Sequence, residues 1–216
     1  MPIPLVATIH GRSRVIALLL TITIIKLVLA GVWGGTADIP QMLDQARSYL
    51  DGRDLLDPSS TGGNPSFFPV GHYLVAAVCL LASQWTGIAF SFLIRTPAIV
   101  ADLVVSLLLR AMPRGGDRAA ILYMVNPVTF LLSAYHGQLH TVALAGTVFA
   151  LWLADRGRLE LGGVMLAHAA ALDGDALAVW LGPAAAVRAG DALVFGRGAF
   201  VVSCANRLAR GHKNVH

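Results

Sequence analysis

Charge is what this sequence lacks. Only 13% of its 216 residues are Asp, Glu, Lys or Arg, about half the roughly 25% of an average soluble domain. So few ionised side chains cannot cover a water-facing surface, which sets the soluble globular class aside first. Cysteine is scarce too. Cys79 and Cys204 stand far apart in apolar surroundings, too few for a disulfide framework and without the spacing of a metal site, so they read as small buried hydrophobes. No glycine-rich phosphate loop is present. The net charge of +4 does not indicate nucleic acid, because no basic patch is interleaved with aromatic residues.

What the sequence has instead is apolar length: 56% of residues belong to the apolar set, and mean hydropathy is +0.68. A helix needs about 20 apolar residues to cross the hydrocarbon core. Residues 15–33 qualify, with Lys26 as the one charge. Arg12 and Arg14 precede this run and Thr36-Ala37 follow it, as in a signal peptide. The run exceeds the roughly 7–15 residues of a signal-peptide core, so it reads as an uncleaved first span. Further spans are expected at 88–109, 119–135, 141–154 and 161–187, the last interrupted by Asp173-Gly174-Asp175. Asn126-Pro127 marks a kink in the third. The expected fold is all-α: a polytopic transmembrane helix bundle of about five spans. It forms a single domain over 1–189, followed by a weakly structured tail at 190–216.

Basic residues fix the orientation. Arg12 and Arg14, then Arg110, Arg114 and Arg118, then Arg156 and Arg158 fall between apolar runs, as cytoplasmic flanks do. Residues 67–85 are apolar enough to span, yet a crossing there would move the middle cluster to the opposite side. The segment is therefore expected to lie in the interface or to re-enter, as an extra helical piece. This gives a multi-pass protein of the cell membrane with a cytoplasmic N-terminus. The loop 34–66, with five acids (Asp38, Asp44, Asp51, Asp54 and Asp57) against Arg47 and Arg53, lies outside. Inside that loop, Met42, Ala46, Tyr49 and Leu50 recur at helical spacing and predict a short interfacial helix over 39–50.

Three polar groups then converge on the outer face. Asp38 follows the first span directly, where a carboxylate can cap the helix that begins near Ile39 or take a proton from a substrate hydroxyl. The stretch Asn64 to Pro69 precedes the ambiguous segment. Tyr135-His136-Gly137-Gln138-Leu139-His140 is the third group. His136 and His140 are four apart and would share a helix face, but Gly137 stands where a metalloprotease motif has glutamate and no third ligand follows. A polar-substrate loop built on His136 and Gln138 is the expectation, with no metal. Arg95 and Asp102 lie in an apolar helix, where each charge costs about 2.5–3.5 kcal/mol. Seven residues place them on one face about 10 Å apart, too far to pair. Each therefore needs its own partner, either in a polar cavity or headgroup contact or in a charge pair between helices.

In order and spacing these elements resemble the GT-C superfamily of polytopic glycosyltransferases, particularly its bacterial polyprenyl-phosphate-dependent members. The resemblance runs from about Val15 to Pro183. It rests on Asp38-Ile39-Pro40 after the first span, Tyr49-Leu50-Asp51-Gly52-Arg53, and Asn64-Pro65 with Pro69, similar to the family's tyrosine-proline-proline motif. It continues through Arg95-Thr-Pro-Ala-Ile-Val-Ala-Asp102, Asn126-Pro127 and Tyr135 to His140. The resemblance implies transfer of a sugar from a polyprenyl-phosphate donor, with inversion, to a hydroxyl of a glycan or lipid-linked acceptor on the outer face. Asp38 is then the catalytic base, and no cofactor is needed. His136, Gln138 and His140 line the donor phosphate or the acceptor cavity. Arg95 and Asp102 are substrate-binding candidates held within the bundle. The chain departs from the family in having His140 where an aspartate is usual and Asp173 to Asp175 where a lysine is common. It carries only the family's N-terminal half, so an active transferase, the first half of one and an inactive relative are all expectations. The alternative class is a non-catalytic multi-span subunit or a small transporter. Transporters carry internal repeats with matching broken helices, and no convincing repeat is found.

Overall fold

A computed structural model describes residues 4–53, 70–113 and 115–172. Every regular element among them is helical, in agreement with the all-α expectation. The chain divides into two units, one formed by Met1–Leu43 with Val78–Thr141 and the other by Asp44–Ala77 with Val142–His216.

The first unit is built on α1 (Pro4–Val32). Its buried positions Leu19, Ile22, Thr23, Lys26 and Ala30 recur every three or four residues and form one inward stripe. The opposite face is apolar too: Ile16, Leu18, Leu20, Ile24, Ile25, Val28 and Val32 are exposed. A helix that turns its lysine inward and its aliphatics outward has lipid as its natural surroundings. Thr21 and Thr23 donate their hydroxyls to the carbonyls of Ala17 and Leu19 one turn back, so neither adds an unpaired polar group to the helix.

Most of the ambiguous segment 67–85 falls in α3 (Val70–Thr86). Gly87, at φ +74°, turns the chain into α4 (Phe90–Leu93), and α5 (Thr96–Ala111) follows almost directly. The hitch between them is chemical. Pro97 has no N–H to give the Leu93 carbonyl, and the Cys79 thiol donates to that carbonyl instead, at 3.5 Å. At the far end of α5, Gly115 and Gly116 make the turn, and Arg110 pairs with Asp117 at the start of α6 (Asp117–Met124). Asn126 accepts from Val128 N–H at 2.9 Å and caps the short α7 (Pro127–Thr129), which runs on into a π-helix (Phe130–His136). The two halves meet at a bend of 50°, at the expected Asn126-Pro127 break.

Helix α1 packs on α4, α5, α6 and the π-helix, and α5 packs on α6 and the π-helix. Two apolar layers result. One gathers Leu19, Ile22, Ala120 and Met124 with Val15, Leu103 and Phe130; the other gathers Ala30, Ile99 and Ala134 with Leu27 and Phe92. Lys26 on α1 and Asp102 on α5 lie between these layers.

The second unit contains the end of α2 (Asp38–Leu50), the start of α3, most of α8 (His140–Asp155) and α9 (Leu159–Leu172). Tyr49 and Tyr73 stack with ring centroids 6.5 Å apart. Helices α8 and α9 approach through small residues: a Cβ added at Gly146 would lie 3.1 Å from Ala169 Cβ, the close contact that small side chains permit in membrane bundles. Arg156 lies 3.6 Å over the Trp152 ring, a cation–π contact at the end of α8.

Two helices among the described residues are long and apolar enough to cross a membrane, Ser13–Val32 and Phe90–Ala111. The bent pair from Asp117 to His136 makes a third if it counts as one span. Helix α8, expected as a crossing, is apolar but shorter, with 16 residues; of the expected crossing at 161–187, the described part belongs to the apolar α9, and 173–187 lie outside the described residues. The expected short helix at 39–50 is α2, in which Met42 and Ala46 are buried and Leu50 is exposed. Asn64 to Pro69, Arg114, Asp173 to Asp175, Cys204 and the tail 190–216 lie outside the described residues.

Candidate functional site

Helix α1 ends on Trp33-Gly34-Gly35-Thr36, and Gly35 at φ +88° reverses the chain into α2. Asp38 is the first residue of α2, with Pro40 in the same turn, a position where a carboxylate also favours the helix dipole. Across from it, the π-helix stops at His136 because Gly137 takes a left-handed conformation, φ +71°. The Leu132 carbonyl then accepts from the N–H groups of both Gly137 and Gln138, the latter at 3.0 Å. Such wide turns recur beside functional sites.

The two turns bring together residues 98 apart in sequence: Asp38 Oδ2 lies 3.4 Å from His136 Nδ1. The side chains are 44% and 35% exposed, so both remain open to a solute. The Tyr135 ring stands edge-on to His136 at 5.6 Å and edge-on to Trp33 at 5.7 Å. Edge-to-face pairs of this kind contribute about 0.5–1.5 kcal/mol each beyond burial, so a chain of rings links the imidazole to the end of α1. A carboxylate beside an imidazole is a proton-handling pair: the carboxylate accepts, and the ring orients it or shares the charge.

Arg95 lies beneath this pair with no exposed surface. Its Nη1 donates to the carbonyls of Ala30, at 2.8 Å, and Trp33, at 2.7 Å. Both belong to the end of α1, whose last carbonyls have no donor within the helix. Gln138 is half-buried in the turn and His140 is exposed at the start of α8. The Gly137 turn separates the two histidines onto different helices, so they do not share the helix face that their spacing suggests.

Asp102 is not brought to this surface. It lies seven residues further along α5, about 10 Å by helical rise, wholly buried. Lys26 Nζ donates to its Oδ2 at 2.6 Å and the Tyr123 hydroxyl to its Oδ1 at 2.9 Å. Lys26 also donates to Thr129 Oγ1 at 3.2 Å and sits 4.7 Å over the Phe130 ring. Of the two sequence readings of this residue, the geometry displays the charge pair between helices.

Lys26 was not expected as the partner, although elimination could have found it. Lys26 is the one charge in the first apolar run, and Asp102 is the one acid in 88–109. Trp33 carried no signal beyond being aromatic at a helix end, whereas Tyr135 stood in the His136 motif without a role of its own. Among the described residues no three metal-ligating side chains come together. Comparison with protein-family models, with curated proteins and with solved structures returned no match.

Proposed function

We propose that this chain is a polytopic membrane glycosyltransferase of the GT-C type, whole or as an N-terminal half. It moves a sugar from a polyprenyl-phosphate donor to a hydroxyl of a glycan or lipid-linked acceptor. The observation that carries the reading is the meeting of Asp38 and His136. They belong to two separate sequence motifs, and they stand 3.4 Å apart, at the start of α2 and the end of the π-helix, partly open to solute.

In this reaction the acceptor oxygen attacks the anomeric carbon while Asp38 takes the hydroxyl proton. The bond from that carbon to the phosphate oxygen breaks, and polyprenyl phosphate leaves with the electron pair. His136 orients the carboxylate, and Gln138 and His140 follow it in the chain for donor or acceptor contacts. Five crossings place this surface outside the cell membrane with the N-terminus in the cytoplasm. Helix α8 crosses as a short, little-tilted span, residues 161–187 form the last crossing, and α3 lies in the interface or re-enters. The apolar outward face of α1 supports the membrane setting, and the placement of the arginine clusters supports that orientation.

The test is transfer by the purified full chain in vesicles holding a polyprenyl-phosphate sugar and an acceptor, wild type against Asp38→Asn. Transfer that the substitution abolishes supports the reading. Transfer that it leaves unchanged removes Asp38 as base, and no transfer by the wild type favours an inactive remnant or a non-catalytic membrane subunit.

A further inference from the structure

Gly35 and Gly137 both rest on the same two side chains. A Cβ built on Gly35 would lie 1.9 Å from Arg95 Nη2 and 2.9 Å from Ile39 Cγ1. One built on Gly137 would lie 2.8 Å from Arg95 Cγ and 3.3 Å from Ile39 Cδ1. Arg95 and Ile39 are therefore the common floor of the two turns, and the glycine that each left-handed turn favours also leaves room for that floor. Asp38 immediately precedes Ile39, and His136 immediately precedes Gly137. Each polar residue of the candidate site is thus one residue away from a group seated on or beside Arg95.

The guanidinium is also fastened from the other side, by the carbonyls of Ala30 and Trp33. A side chain needed only to fill this space would be apolar, because Arg95 Nε and Nη2 are buried without an acceptor among the described residues, and an unpaired buried donor costs stability. What an apolar side chain could not supply is the grip on two carbonyls, together with the shape offered to both glycines. The charge sits inside an apolar helical segment, where such charges carry a functional expectation.

We infer that Arg95 is a positioning residue: it ties the end of α1 to the turns at Gly35 and Gly137 and so holds Asp38 against His136. It does this through backbone carbonyls and the two glycines, and its role is separate from any contact with substrate. The inference rests on the reading of Asp38 and His136 as the working pair, and its test is independent of catalysis.

The experiment uses the full chain in nanodiscs, with Cys79 and Cys204 replaced by serine and new cysteines at positions 38 and 136. The rate at which a short bis-maleimide joins the two thiols reads their juxtaposition. Thermal unfolding, followed by tryptophan fluorescence, shows whether each variant is folded. Adding Arg95→Met lowers the cross-linking rate by about tenfold or more, because the advantage of a held geometry is lost. Arg95→Lys, which restores a donor for the carbonyls, recovers part of that loss. Gly137→Ala keeps the guanidinium but both strains the left-handed turn and pushes on the Arg95 Cγ; it lowers the rate likewise, so the inference can still be overturned where Arg95→Met fails to fold. Cross-linking at the parent rate in folded Arg95→Met or Gly137→Ala protein overturns the inference. Failure of the transferase assay does not touch this result, so the two readings fail separately.

Discussion

Lys26 and Asp102 meet at 2.6 Å with both side chains fully buried, 76 residues apart in sequence, between two helices that are each long and apolar enough to cross a membrane. Neither charge is tolerable there alone, since an isolated one costs about 2.5–3.5 kcal/mol on insertion scales. Together, with Tyr123 on one oxygen of the carboxylate and Thr129 on the ammonium, they form a polar layer between two apolar ones. The layer fixes the register of α1 against α5 and ties both to the broken span.

Breaking one side of this pair is expected to do more harm than removing it whole. Lys26→Met leaves an uncompensated buried carboxylate and destabilises the protein by about 3–5 kcal/mol, whereas Lys26→Met with Asp102→Leu returns to within about 1 kcal/mol of wild type. Denaturant or thermal unfolding of the four members of the cycle in detergent measures this. Equal destabilisation by the single and double variants would refute the pair as the partner of each charge.

Tyr123→Phe removes one hydrogen bond to Asp102 and little volume. The expected loss is about 1–2 kcal/mol, between the membrane-interior average and values for charged acceptors in soluble proteins. In the Asp102→Leu background the same substitution costs nearly nothing. A cost that is the same in both backgrounds would mean that the hydroxyl acts elsewhere.

The break at Asn126-Pro127 sets the direction from which His136 approaches. Pro127 leaves the Tyr123 carbonyl without its usual donor, and Asn126 N–H serves it instead, at 3.2 Å, while the Thr129 hydroxyl donates to the Asn126 carbonyl at 2.8 Å. Replacing Asn126-Pro127 with Ala-Ala lets α6 continue, straightens the 50° bend and carries His136 away from Asp38. Spin-label distances between residues on α1 and the π-helix should lengthen, and transfer should fall by about 10²-fold, the usual cost of misplacing a reacting group by about 1 Å. Unchanged distances in the folded variant would show that the bend is set by packing rather than by these two residues.

Orientation can be read chemically. In intact cells a membrane-impermeant thiol reagent is expected to label a cysteine placed at Asp44 and to spare cysteines at Arg118 and Arg156, which react only after permeabilisation. Labelling of Arg118→Cys from outside would reverse the assigned topology.

The all-helical character, the first span and the break at Asn126-Pro127 were legible in the sequence, since each depends on local composition or on a backbone group that proline lacks. The ends of helices and the number of crossings were less so. Residues 141–154 read as a span on hydropathy, while α8 is 16 residues long, because periodicity cannot separate a short span from an apolar helix packed on another. Asp38 and His136 could each be picked out as polar residues at the end of an apolar run. Their contact could not, because it depends on two left-handed glycines and a π-helix, none of which leaves a period in the sequence. Arg95 could be seen to need partners, but its acceptors are backbone carbonyls of another helix, which no side-chain pattern reports.

If Asp38 handles the proton in sugar transfer, the rate of that single step reports it. With polyprenyl-phosphate sugar and acceptor in vesicles, Asp38→Asn is expected to lower kcat by about 10²–10⁴-fold, the range a positioned general base supplies. The donor's binding affinity and the unfolding temperature should stay near wild type. Transfer by Asp38→Asn at the wild-type rate would contradict the assignment of Asp38 as the base.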